Sequence, residues 1–140
     1  MTTKSRQEQI VVLIDDDPIS NILTELNIKT IHESQPVFAY TDHELGINKI
    51  KSIINSDQGN AVILFLDINM ATMSGWEVLD ILGKYLEEAG NKYLRIYMLS
   101  SSIDVADKLQ AYSNPWVSGY FEKPMTPEDF GDLLFKKNYL

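Results

Sequence analysis

Two stretches of the chain are apolar without a break and stop at carboxylates. Ile10-Val11-Val12-Leu13-Ile14 runs into Asp15-Asp16-Asp17, and Val62-Ile63-Leu64-Phe65-Leu66 runs into Asp67. A third run, Arg95 to Leu99, stops at Ser100-Ser101-Ser102, and a fourth, roughly Ser118 to Glu122, stops at Lys123-Pro124. Runs that are apolar at consecutive positions and bounded by turn formers read as strands buried on both faces, the usual state inside a parallel sheet. A shorter strand is predicted over Pro36 to Tyr40.

Between these runs the apolar spacing becomes helical. Ile19, Ile22, Leu23 and Leu26 form a stripe that reaches about Ile31, with Asp17 as N-cap and Pro18 at the first helical position. Thr41-Asp42-His43-Glu44 has the spacing of a capping box and opens a second helix, with Ile47, Ile50 and Ile54 inward. Ser56-Asp57-Gln58-Gly59-Asn60 is a turn. Ser74-Gly75-Trp76-Glu77 repeats the capping-box spacing ahead of Val78, Leu79, Leu82 and Leu86, and this third helix ends near Ala89-Gly90-Asn91. A weaker helix runs from Asp104 to about Tyr112, with Ser102 as its cap and Val105, Leu109 and Tyr112 inward, until Asn114-Pro115 breaks it. Thr126-Pro127-Glu128-Asp129 opens the last helix, packed through Phe130, Leu133 and Leu134. Such alternation of strand and helix predicts right-handed crossovers and a doubly wound α/β fold, a five-stranded parallel sheet with helices on both faces.

All strands of a parallel sheet end at one edge, and open α/β sheets place ligands and chemistry there. The edge predicted here gathers Asp15, Asp16, Asp67, Ser100 and Lys123. Two adjacent carboxylates facing a third repel one another in a partly buried pocket, and a hard cation relieves the repulsion. Mg²⁺ suits the set, since it takes one or two carboxylates plus waters and phosphate oxygens. Each residue alone has a plainer reading. Asp15-Asp16 is a solvated turn, Asp67 a strand-end cap, Lys123 a surface lysine and Ser100 one serine of a capping run. Asp17 is assigned to its helix cap. The Lys123-Pro124 bond is of the kind that can be cis, and a fixed turn there would hold the lysine near the acids.

Composition narrows the field. At 140 residues and 44% apolar, the chain predicts one compact domain with a substantial core. A net charge of −8, with Lys and Arg scattered, argues against nucleic-acid binding. The absence of cysteine excludes disulfides, thiolate metal sites and a Cys nucleophile. The polar start and the short apolar runs predict no signal or membrane segment, hence a cytoplasmic protein.

The parts are individually weak, but their order is specific. The segments IDDDP, LFLDINM, MLSSS and YFEKP, in this succession at strand ends, resemble the receiver domain of two-component response regulators over about Gln9 to Asn138. The resemblance implies strand order 2-1-3-4-5. It implies Asp67 as phosphoryl acceptor. Asp15 and Asp16 become the acidic pair that holds Mg²⁺, with Asp67 and the backbone carbonyl of Asn69 completing the protein ligands. Ser100 and Lys123 match the hydroxyl and lysine that bind the phosphoryl group, and Tyr120 matches the aromatic switch.

On this reading residues 1–140 form a single receiver domain with no room for an output domain. A sensor histidine kinase or a histidine phosphotransfer protein would donate, and the chain would signal to an unspecified output protein or pass the phosphoryl group along a relay. It is then a phosphoacceptor assisting its own phosphorylation and dephosphorylation, not an enzyme acting on other molecules. Tyr112, Trp116, Tyr120 and Tyr139 enrich the last third in aromatics, as an output surface or as ordinary packing. Two positions depart from the family pattern: Ala71 stands where proline is common, and Ser101 where Ala or Gly is common beside the acceptor. The competing readings are a protein-binding module of the same fold that works without phosphorylation, and a phosphatase with an Asp nucleophile. The latter usually carries a second Asp two residues on, where this chain has Asn69.

Overall fold

The computed structural model describes residues 8–56, 58–90, 93–102 and 104–134. The expectations touching Asp57, Asn91, Tyr139 and the stretch to Asn138 lie outside these residues. The elements are β1 (Gln9–Ile14), α1 (Pro18–Ile31), β2 (Val37–Tyr40), α2 (His43–Asn55), β3 (Ala61–Asp67), α3 (Gly75–Ala89), β4 (Leu94–Ser100), α4 (Val105–Ser113), β5 (Val117–Glu122) and α5 (Pro127–Leu134). The strands pair in parallel in the order β2-β1-β3-β4-β5, as expected.

The central strand buries both of its faces. Val62, Leu64 and Leu66 join a core with Ile47 and Ile50 of α2 and Val78, Leu79 and Leu82 of α3. Ile63 and Phe65 face the other way, into a core with Ile28 of α1 and Phe130 and Leu134 of α5. Each such side chain removed from water contributes about 1.5–3 kcal/mol, which is why an unbroken apolar run takes the centre of the sheet. Register then levels the strand ends. Ile14 pairs with Leu66, so Asp15 lies beside Asp67; Asp67 pairs with Leu99, so Ser100 follows one step further on the next strand. A register shift opposite Ile96 and Tyr97 brings Glu122 level with Ser100. Lys123 is tied there by its N–H to the Ser100 carbonyl at 2.8 Å.

Most helix starts follow their local signals. Asp17 accepts from the N–H of Ile19, Ser74 and Glu77 form a reciprocal capping box, and Thr126 and Asp129 do the same for α5. Gly90 ends α3 in the left-handed conformation at φ 69°. Two caps differ from expectation. Asp42, not Thr41, caps α2, accepting from Glu44 N, and Asp104, not Ser102, caps α4. In both cases the carboxylate adds a favourable charge at the positive helix end, which a hydroxyl lacks.

The larger correction concerns two helical stripes. Ile19, Ile22, Leu23 and Leu26 are between 52% and 64% exposed, and α1 instead turns Asn21 and Ile28 inward. At 100° per residue the apolar four lie roughly opposite Asn21 and Ile28. Buried Asn21 is satisfied, its amide donating to the carbonyls of Asp15 (3.1 Å) and Tyr40 (3.3 Å). In α4, Val105, Leu109 and Tyr112 are between 64% and 68% exposed, and Ala111 is the buried residue.

Candidate functional site

The chain winds from β1 outward to β2, then back past β1 to β3. At such a switch point the loops after the two inner strands diverge and leave a crevice. Asp15, Asp16 and Asp67 meet in it, each offering a carboxylate oxygen within 4.8 Å of the others. Asp15 and Asp67 are buried; Asp16 is exposed.

Asp15 is the most heavily held. Its Oδ1 accepts from the N–H of Asp17 at 3.0 Å, and its Oδ2 accepts from Ser20 Oγ at 2.6 Å and from Lys123 Nζ at 2.8 Å. Lys123 Nζ also lies 3.4 Å from Asp67 Oδ1. The ammonium therefore bridges the two buried carboxylates from the turn after β5, where the Lys123-Pro124 bond is cis. Burial opposes the charge on Lys123, but hydrogen bonding and attraction from Asp15, then from Asp67, outweigh it and hold its pKa above the usual lysine value. The pKa of Asp67 is raised as well, which for a carboxylate disfavours the charged form. Burial, then repulsion from Asp15, push its pKa from 3.8 up to about 6 against the pull of Lys123 and a hydrogen bond from the Asn69 backbone.

Three ionised carboxylates and one ammonium leave the pocket with a net charge of two minus. The donors are all oxygen, which suits a hard divalent cation of the Mg²⁺ class. Such an ion would also oppose the repulsion that raises Asp67. The residues present therefore fit a metal.

Ser100 is buried beside the pocket, but its hydroxyl donates to the Ser102 carbonyl at 2.7 Å. The half-buried Tyr120 packs against the core on the α2–α3 side, and its hydroxyl lies 3.5 Å from the same Ser102 carbonyl. Asp16 Oδ2 accepts from the N–H of Ala71 at 2.8 Å. Exposed Ser101 joins Ile19, Leu23, Asn27, Lys123 and Met125 around a groove between α1 and the turn after β5. The stripe of α1 borders this groove.

Three contributors were not foreseen from sequence. Ser20 reaches Asp15 from the first turn of α1, and Asn21 fixes the Asp15 carbonyl. Gly75 begins α3 against the end of β3: a Cβ there would sit 2.5 Å from the Asp67 carbonyl oxygen. Gly75 had a signal, a glycine directly after a capping serine. Ser20 and Asn21 had none, because polar residues near a helix start are ordinary.

Fold and site together define a doubly wound α/β domain with an acidic, lysine-bridged pocket at its switch point. A scan against protein-family profiles finds no match, and a search of curated proteins finds none either. Solved structures do match. A two-component response regulator from Cytophaga hutchinsonii is 32% identical, with 94% of this chain and 97% of that one covered and a TM-score of 0.81. A response regulator receiver protein from Dyadobacter fermentans is 23% identical, covering 91% and 96%, with a TM-score of 0.76. The chemotaxis protein CheY4 of Vibrio cholerae is 18% identical, covering 93% and 98%, with a TM-score of 0.66, and shows the shared fold. The chain belongs to the response regulator receiver family. Among the described residues, no helix is long and apolar enough to cross a membrane.

Proposed function

We propose that Asp67 accepts a phosphoryl group from a phosphohistidine on a sensor histidine kinase or histidine phosphotransfer protein, and that the product changes the surface offered to a further protein. One observation carries this reading: a buried carboxylate ends the central strand, paired with Lys123 and clustered with two more carboxylates, in a chain of the receiver family. An Asp67 oxygen forms the new bond to phosphorus as the phosphorus–nitrogen bond breaks, and the imidazole nitrogen keeps the electron pair. Lys123 stabilises the negative charge on the phosphoryl oxygens. Asp15, Asp16, Asp67 and the Asn69 carbonyl would hold Mg²⁺, which when bound supplies further positive charge at those oxygens. Attack by water on phosphorus later breaks the phosphorus–oxygen bond and returns the Asp67 carboxylate and inorganic phosphate. The chain thus assists its own phosphorylation and dephosphorylation without turning over another substrate.

Signalling would follow from the bonds that Ser100 exchanges. Its hydroxyl now serves the Ser102 carbonyl, which Tyr120 also approaches. Moving that hydroxyl to a phosphoryl oxygen frees the carbonyl and shifts the balance between two packings of Tyr120 and α4. The exposed stripe of α1 borders the groove that leads to Lys123 and is the surface assigned to the donor. The exposed stripe of α4 is assigned to the output partner.

The test is labelling by acetyl phosphate with Mg²⁺, read by intact-protein mass spectrometry. Wild type is expected to gain one phosphoryl group and Asp67→Asn none, with the fold of the variant retained. Equal labelling of both would remove Asp67 as acceptor. No labelling of wild type would favour the phosphorylation-independent binding module.

A further inference from the structure

We propose that Ser20 is a positioning residue for phosphoryl transfer: it holds Asp15 so that the ammonium of Lys123 can pass from Asp15 to the phosphoryl group on Asp67. This role rests on the reading of Asp67 as acceptor. Lys123 Nζ sits nearer to Asp15 than to the acceptor, 2.8 Å from Asp15 Oδ2 and 3.4 Å from Asp67 Oδ1. Serving the phosphoryl oxygens requires it to move toward Asp67. The backbone on either side is tied down. Lys123 N–H donates to the Ser100 carbonyl at 2.8 Å, and the Asn27 side-chain amide donates to the Met125 carbonyl at 3.1 Å. The movement is therefore one of the lysine side chain, and it takes a donor away from Asp15.

The loss falls on one oxygen of a buried carboxylate. Asp15 Oδ1 keeps the Asp17 N–H whatever the lysine does. Oδ2 has two donors, Lys123 Nζ and, at 2.6 Å, Ser20 Oγ. When the ammonium leaves, the serine hydroxyl alone keeps Oδ2 bonded within the protein, and a buried charged oxygen left without a donor is costly. While the ammonium is in place, the hydroxyl shares the negative charge of Oδ2, so Lys123 is held less tightly. Ser20 is fixed for this work in the first turn of α1, where Asp17 Oδ1 accepts from the Ile19 N–H at 3.0 Å. Its Oγ lies 3.5 Å from Nζ, so one hydroxyl touches both members of the pair. Removing it leaves the acceptor, the acids and the lysine in place and makes the passage of Lys123 harder. The effect is then on the rate of labelling, not on the capacity to be labelled.

Acetyl phosphate time courses at saturating Mg²⁺, read by intact-protein mass spectrometry, test this on wild type, Ser20→Ala, Ser20→Thr, Lys123→Met and the double variant Ser20→Ala/Lys123→Met. Saturating metal keeps any change in Mg²⁺ affinity out of the rate. Alanine is favoured in a helix, so Ser20→Ala keeps the fold. It is expected to slow labelling by about tenfold, the worth of one hydrogen bond to a charged group expressed as a rate. Ser20→Thr keeps the hydroxyl and should restore the rate. In the Lys123→Met background the loss of Ser20 should add nothing, because no ammonium remains to be passed on. A hydroxyl that merely props the fold would slow both backgrounds alike. An unchanged rate in Ser20→Ala, an equal loss in Ser20→Thr, or the same further loss in the Lys123→Met background would each overturn the proposal. Any of these with wild type labelled removes the role of Ser20 alone. A wild type that takes no label would remove the acceptor reading, and the role of Ser20 with it.

Discussion

The two ends of the sheet both place polar side chains in contact with buried backbone, and they use them to opposite ends. At the amino end, buried Gln35 donates to the carbonyls of Gln9 (2.6 Å) and Pro36 (3.1 Å). Gln9 in return donates to Gln35 Oε1 (3.2 Å) and to the Leu134 carbonyl (2.6 Å), and Arg95 reaches the Leu133 carbonyl at 3.4 Å. Neutral amides and one cation there meet the carbonyls of Leu133 and Leu134 in the last described turn of α5. At the carboxyl end three carboxylates cluster, two of them share one ammonium, and Asp67 is held so unfavourably that its pKa rises to about 6. One end closes its hydrogen-bonding requirements within the protein. The other leaves charge unbalanced, which destabilises the ionised Asp67 and suits the divalent cation proposed for the pocket.

Removing the bridging cation should separate the ends most strongly. Lys123→Met is expected to slow phosphoryl uptake by about 10²–10³-fold, the usual effect of losing one group that stabilises developing charge. Mass-spectrometric time courses with acetyl phosphate would measure it, and unchanged rates would show that Lys123 serves only to pair the acids.

The strain at Asp67 is visible in stability without metal. The folded chain holds the Asp67 proton more tightly than the unfolded chain, so between pH 3.8 and about 6 the native state carries the extra proton. The stabilisation from this group is therefore complete below pH 3.8 and is lost as pH rises through about 6. Urea unfolding in EDTA should show Asp67→Asn gaining stability relative to wild type across that window, by up to about 3 kcal/mol. A difference independent of pH would mean that the carboxylate is not strained.

A smaller effect is expected at the amino end. Gln35→Ala strips partners from buried carbonyls and should lower stability by about 2 kcal/mol at any pH, since no charge is involved. Acetyl phosphate labelling of that variant should be unchanged. A loss of labelling would show that the ends are coupled through the sheet.

Legibility in the sequence followed how local each signal was. Val62 to Leu66 could be read as the central strand because every side chain in the run is apolar, and a strand buried on both faces needs no knowledge of its neighbours. The capping serine and glutamate of α3 satisfy each other within four residues. Asp15, Asp16, Asp67, Ser100 and Lys123 were legible as a group because parallel strands must end at one edge. Ser20 and Asn21 were not, since their partners, Asp15 and Tyr40, are brought to them only when α1 docks.

The sequence by itself determined which segments are strands and helices, that the sheet is parallel, and which charged residues meet at its edge. These rest on apolar runs, on cap spacing and on the geometry of crossovers. Tertiary structure decided which face of each helix is buried. The stripes of α1 and α4 have helical spacing, yet Ile19, Ile22, Leu23, Leu26, Val105, Leu109 and Tyr112 face outward. Periodicity says that a helix has an apolar face; what that face meets depends on its neighbours. As α1 docks, Asn21 meets the carbonyls of Asp15 and Tyr40 and Ile28 enters the core, and the stripe lies on the opposite, outward side. Tertiary structure also decided that Lys123 bridges Asp15 and Asp67 and that Asp16 is tied to Ala71, because a charge at a strand end chooses its partner only when the loops converge.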